Sequence, residues 1–148
     1  FEELWRHFDT SHCLLIQYDS GIIHPELWDN NWLSYDYIGA PWLWKVDSYV
    51  AWGSGEHVGV GNGGFSLRSK KLTELAGKLG LELTDERGYF NEDGNSCCYR
   101  REEFLKAGIR YAPVEVAAKF SYENTVLENA GLKTFGFHKN INPADDWR

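Results

Sequence analysis

Between residues 59 and 64 the chain reads Gly59-Val60-Gly61-Asn62-Gly63-Gly64, four glycines in six residues, and runs straight into Phe65-Ser66-Leu67-Arg68. Glycine carries no Cβ, so this loop can bring its backbone close to a neighbouring group and offer N–H groups to phosphate or sugar oxygens. A plain tight turn uses the same residues. The segment is neither a dinucleotide fingerprint, whose glycines open directly into a helix, nor a P-loop, which requires Gly-Lys-Ser/Thr. Here the glycines enter an apolar strand, which confines the loop to the end of a sheet.

The rest of the chain is read around that loop. Cys13-Leu14-Leu15-Ile16-Gln17-Tyr18 is an apolar run stopped by Asp19-Ser20-Gly21, which predicts a buried strand of a mostly parallel sheet. Ser69 is placed to cap a helix carrying Leu72, Leu75, Ala76 and Leu79, with Gly80 at its end. Asn91-Glu92-Asp93 precedes a second helical stretch that ends near Ala107-Gly108. Ile109 to Pro113 predicts a short strand, Val114 to Phe120 a turn or short helix, and Thr134 to His138 a final strand. Residues 1–11 read as a helix end and loop, and the aromatic stretch from Leu27 to Trp52 as strand and ordered loop. Strands alternating with helices predict an α/β fold, and 148 residues make one domain.

Composition narrows the function classes. Hydrophobic residues at 43% and charged residues at 25% support a packed core and argue against disorder. The net charge of −7 and the absence of any Lys/Arg stripe argue against a nucleic-acid partner. They remain compatible with an anionic small substrate bridged by a cation. No run of about 18 apolar residues would span a bilayer. Three cysteines, Cys13, Cys97 and Cys98, make no disulfide framework and fit buried thiols in a reducing, cytoplasmic compartment. With no Met in the chain, the sequence is expected to be a piece of a longer polypeptide.

Four places could carry chemistry. Asp19, at the end of an apolar strand, stands where α/β sheets bind ligands and where a carboxylate can take a hard cation; equally, it can start a turn with Ser20-Gly21. Gly63 and Gly64 can line a ligand. Glu92 and Asp93 fit a helix start on dipole grounds, and one of them can instead serve as a general base. His138 follows the last strand and is either structural or a ligand to a metal such as manganese. His24 and His57 have weaker claims, and His7 and His12 none. Among the tryptophans Trp28, Trp32, Trp42, Trp44 and Trp52, most are expected in the core, with Trp42 or Trp44 lining a pocket. Arg68 either pairs with a diphosphate or sits on the surface.

The order of these features resembles the glycosyltransferases of the GT-A fold, with an acidic motif after a strand, a glycine-rich loop, an x-Glu-Asp motif and a late metal-binding His. More narrowly, the chain is similar to a family of bacterial and viral domains of unassigned function thought to be glycosyltransferases. The resemblance is carried by Leu15-Ile16-Gln17-Tyr18-Asp19-Ser20, Tyr35-Asp36-Tyr37-Ile38-Gly39-Ala40-Pro41-Trp42, Gly61-Asn62-Gly63-Gly64-Phe65-Ser66-Leu67-Arg68, Asn91-Glu92-Asp93 and Phe135-Gly136-Phe137-His138-Lys139. It implies a GT-A-like, mostly parallel sheet flanked by helices, and an inverting transfer of a sugar from a nucleotide-sugar donor to a glycan or other hydroxyl acceptor. It further implies Mn2+ or Mg2+ held by Asp19 and His138, Asp93 as the catalytic base with Glu92 as alternate, and Gln17, Gly63, Gly64, Trp42 and Arg68 toward the substrates. Gln17 stands where the first Asp of Asp-x-Asp is usual and brings no charge. Only 18 residues precede Asp19, so part of the N-terminal nucleotide-binding portion is expected to be missing. A non-catalytic carbohydrate-binding or structural domain of a larger polysaccharide-related protein is the alternative.

Overall fold

The computed structural model of the protein describes residues 3–42, 59–79 and 91–139. It is a mixed α/β arrangement of short strands and few helices. The strands are β1 (His12–Ile16), β2 (Ser20–Ile22), β3 (Tyr37–Ile38), β4 (Ala40–Pro41), β5 (Val60–Gly61), β6 (Phe65–Ser69), β7 (Ser121–Tyr122) and β8 (Gly136–His138). The helices are α1 (Lys70–Lys78), α2 (Glu92–Gly94), α3 (Arg101–Lys106) and α4 (Val114–Phe120), with a π-helical turn at Asn95–Tyr99 between α2 and α3. Single 3-10 turns occupy Leu4–His7, Pro25–Leu27 and Asn30–Ser34.

β6 is the centre of the first sheet, in the order β1-β6-β3, and every one of its residues is buried. Both neighbours run antiparallel to it, with Leu67 opposite Leu14 on one side and Ile38 on the other. The second sheet has the order β2-β8-β7, in which β8 pairs antiparallel with β2 and parallel with β7. β4 and β5 form an antiparallel pair. Among the described strands, then, β7–β8 is the sole parallel ladder, joined by an isolated parallel bridge between Tyr37 and Tyr111.

The mostly parallel sheet expected from the apolar run at residues 13–18 is therefore not what these strands form. Such a run fits a strand under apolar cover, and it says nothing about which way the neighbours point. Nor is β1 fully covered: its residues are half-buried and Ile16 is half exposed. The strand expected between Ile109 and Pro113 reduces to the Tyr111 bridge.

Ser69 does cap α1, its side chain accepting the N–H of Leu72 at 3.0 Å. The helix then buries Leu72, Thr73 and Ala76. The same Ser69 hydroxyl donates to buried Asp36 Oδ1 at 2.7 Å, while Asp36 Oδ2 accepts from Arg110 N at 2.8 Å. Asp36 thus ties the end of β6 to the segment after α3. The two sheets meet across an aromatic cluster in which Trp32, Phe65, Phe120 and Phe135 pack with ring centroids 5.1 to 5.9 Å apart. Tilted and edge-on contacts of this kind suit the aromatic quadrupole. Trp28 joins the cluster from its rim. Trp44, Trp52, His57 and Gly80 lie outside the described residues.

Candidate functional site

The turn after β1 is pinned onto the glycine loop by two hydrogen bonds, and a third closes the turn on itself. Gln17 N donates to Gly64 O at 2.8 Å, and the Ser20 hydroxyl donates to Gly64 O and Gln17 O, each at 2.8 Å. Asn62 takes a left-handed backbone (φ 82°) and turns its side-chain oxygen onto Gly64 N at 2.9 Å, which shapes the loop. From the other side, Lys139 N donates to Asp19 O at 2.9 Å and joins the end of β8 to the same turn.

These main-chain ties bring side chains distant in sequence to one cavity of about 180 Å³. Gln17, Trp42, Gly63, Gly64, Glu92, Asp93 and His138 line it, together with Asn91, Glu123 and Lys139. Asp19 adjoins it: Asp19 Oδ1 lies 3.5 Å from His138 Nε2 and is buried without a hydrogen-bond partner. The glycines are required by close approach. A Cβ on Gly64 would sit 2.1 Å from His138 Nε2, and one on Gly63 would sit 2.4 Å from Glu92 Oε1. A larger groove of about 520 Å³ runs between the first 3-10 turn and α1, where Glu3 and Arg6 satisfy one another at 2.7 Å. No set of candidate residues converges there.

Asp93 and Glu92 differ in kind although adjacent. Asp93 Oδ2 accepts from Gly63 N at 2.8 Å and Oδ1 from Gly94 N at 2.7 Å. Burial, then the charge of Glu92, push its carboxyl above the usual range, and the two N–H bonds and Arg68 offset this only in part. Burial also pushes Glu92 up, but the charge and hydrogen bond of Arg68 outweigh it and hold Glu92 below its ordinary value. Arg68 Nη2 reaches Glu92 Oε1 at 2.9 Å.

Arg68 itself is neither on the surface nor lining the cavity. It is 1% exposed, its guanidinium lies over the Tyr37 ring at 5.6 Å, and its Nε donates to Ser66 Oγ at 3.0 Å. A buried charge on a central strand requires such partners, so Arg68 braces Glu92 rather than sitting on the surface. Trp42 is 5% exposed and presses on Gly61, where a Cβ would meet its ring at 1.9 Å. It reaches the cavity wall as part of the core.

Three lining residues lie outside the expected set: Asn91, Glu123 and Lys139. Glu123 follows β7 at its carboxyl end, as Asp19 follows β1, and that position was the signal available in the sequence. Its Oε1 contacts Lys139 Nζ at 2.5 Å and faces His138 Nδ1 at 3.6 Å. Burial raises the Glu123 carboxyl, but His138 and Lys139 outweigh it and leave it lowered. Lys139 stands directly after the candidate histidine and brings an ammonium to the cavity wall, paired with Glu123.

Among the described residues no group of three or more His, Cys, Asp or Glu side chains is arranged as a metal cage. Asp19 Oδ1 and His138 Nε2 nevertheless fit two adjacent positions on one cation. Ligand atoms each about 2.1 Å from an ion stand roughly 3.0 to 3.4 Å apart, close to the 3.5 Å observed. The orphaned Asp19 oxygen is a buried acceptor with nothing yet to accept. No described helix is long and apolar enough to cross a membrane.

Comparison with curated proteins finds no match, and comparison with solved structures finds none. A family model described as a protein of unknown function (DUF5672) matches residues 1–138. Since that match spans nearly all of the sequence, the chain belongs to the DUF5672 family.

Proposed function

We propose that this protein is a metal-dependent glycosyltransferase of GT-A type that moves a sugar from a nucleotide-sugar donor to a hydroxyl acceptor with inversion. The observation that carries the reading is the convergence of His138, Gly63-Gly64 and Asp93 on one cavity, with Asp19 beside it and only 3.5 Å from His138. In this reading Asp19 and His138 hold Mn2+ or Mg2+, which when bound neutralises charge developing on the departing diphosphate. Gly63 and Gly64 let the donor approach the backbone. Gln17 and Lys139 offer an amide and an ammonium to oxygens at the cavity mouth.

Asp93 takes the proton from the acceptor hydroxyl. The acceptor oxygen then forms its bond to the anomeric carbon as the bond to the diphosphate oxygen breaks, and the diphosphate leaves with the electron pair. A base works best with a pKa near the operating pH, and the upward shift of Asp93 moves it in that direction. Glu92, lowered and bound to Arg68, suits the role of fixed charge better than that of base.

The alternative, a non-catalytic carbohydrate-binding domain, drew on the aromatic cluster as a stacking surface. Trp32 and Trp42 are 4% and 5% exposed, which leaves Trp28, 38% exposed, as the described tryptophan of that cluster open to a sugar face. The test is release of nucleoside diphosphate from a panel of nucleotide sugars with Mn2+. Asp93→Asn should lose at least about 100-fold in turnover, within the range for general-base catalysis, and Asp19→Asn should lose the Mn2+-supported turnover. Unchanged turnover in both variants would overturn the proposal.

A further inference from the structure

His138 stands between two carboxylates, and the fold treats them differently. β7 and β8 run parallel with Ser121 opposite Gly136 and Tyr122 opposite Phe137, so the register carries Glu123 level with His138. Glu123 is 6% exposed in its side chain, against 25% for Asp19. His138 Nδ1 faces Glu123 Oε1 at 3.6 Å, while Nε2 faces Asp19 Oδ1 at 3.5 Å. His138 Nδ1, Glu123 Oε2 and Asp19 Oδ1 are all buried without a hydrogen-bond partner. Gly64 packs on the ring and limits its rotation.

A neutral imidazole has one N–H to give, and both neighbours are acceptors. Glu123 Oε1 already pairs with Lys139 Nζ, but its second oxygen has no partner and its side chain is the more buried. Two acceptors facing one another therefore cost more at Glu123 than at Asp19, which stands nearer water. We infer that Glu123 is a positioning residue: it keeps the His138 proton on Nδ1 and leaves Nε2 as a free base turned toward Asp19. Nε2 and Asp19 Oδ1 are then two acceptors facing one another, an arrangement that a cation between them resolves. A carboxylate on the far nitrogen of a ligating histidine fixes its tautomer and raises its basicity. The consequence for cation binding rests on the function proposed above, whereas the tautomer does not.

The experiment uses the 15N-labelled, metal-free chain, followed upward in pH until the imidazole signals stop moving. Long-range proton–nitrogen correlation reports the His138 tautomer, assigned by loss of the signal in His138→Gln. The wild type should show the Nδ1–H form. Glu123→Ala should shift to Nε2–H and bind Mn2+ alone about 10- to 100-fold more weakly, followed by the paramagnetic signal of free ion. Glu123→Gln keeps an acceptor oxygen and should retain Nδ1–H. An Nε2–H wild type overturns the inference. So does Glu123→Ala with the wild-type tautomer and Mn2+ affinity. A wild type that is Nδ1–H but takes up no Mn2+ upholds the role of Glu123 and sinks the transferase reading instead.

Discussion

Removing Arg68 would strand the Glu92 carboxylate in a largely buried place, and breaking a buried pair from one side costs about 3 kcal/mol or more. Arg68→Met should therefore lower stability by that order in urea unfolding, and adding Glu92→Gln should return much of the loss. The pH dependence has a definite sign. Glu92 is lowered on folding, so the stability it contributes is present above the ordinary carboxylate value and falls away as pH drops through its folded value. Glu92→Gln should flatten that acid limb of a stability-versus-pH curve. At Gly64 the argument is steric: Gly64→Ala must displace the His138 ring. We expect a loss of about 1 to 3 kcal/mol, as for overpacking, together with loss of the thermal shift given by Mn2+.

At the scale of elements, the helix cap was readable and the strand direction was not. Ser69 ahead of an apolar 3.6-residue period specifies α1 locally, because the hydroxyl and the N–H it satisfies are three residues apart. Ser69→Ala should cost about 1 kcal/mol for the cap alone, and more for the lost bond to Asp36, measured by chemical denaturation. Strand pairing depends on partners fifty residues away, so β1 gave up its type but not its orientation. The site was legible to a similar depth. Asp19, Asp93, His138 and the glycines carry their signal in type and order. Glu123 hides because its partner histidine is fifteen residues on, reached only through the β7–β8 ladder. The burial of Arg68 against Glu92 is not legible, because an arginine on a central strand looks the same in sequence whatever partner it takes.

Across the whole molecule, burial sorts the thiols. Cys97 is fully buried and its thiol is pushed up to about 12, chiefly by desolvation, and Cys98 is pushed up further by burial and by Cys97. Cys13 is partly accessible and raised too, mainly by burial. A thiol reagent at neutral pH should label Cys13 first in the native state, with Cys97 and Cys98 reacting only on unfolding. Peptide mass mapping against denaturant would check this, and native-state labelling of Cys97 would contradict the packing described.

The turn after β1, the glycine loop and the end of β8 are stitched largely through peptide groups, from Gln17 N to Gly64 O and from Lys139 N to Asp19 O. Such seams outlast replacement of the residues' reactive groups, so the chemistry can be switched off while the architecture stays. Proteins disarmed at the base by Asp93→Asn, which keeps an acceptor oxygen beside Gly63 N, should keep a near-native melting temperature and could capture a donor and acceptor side by side, unreacted, for direct viewing.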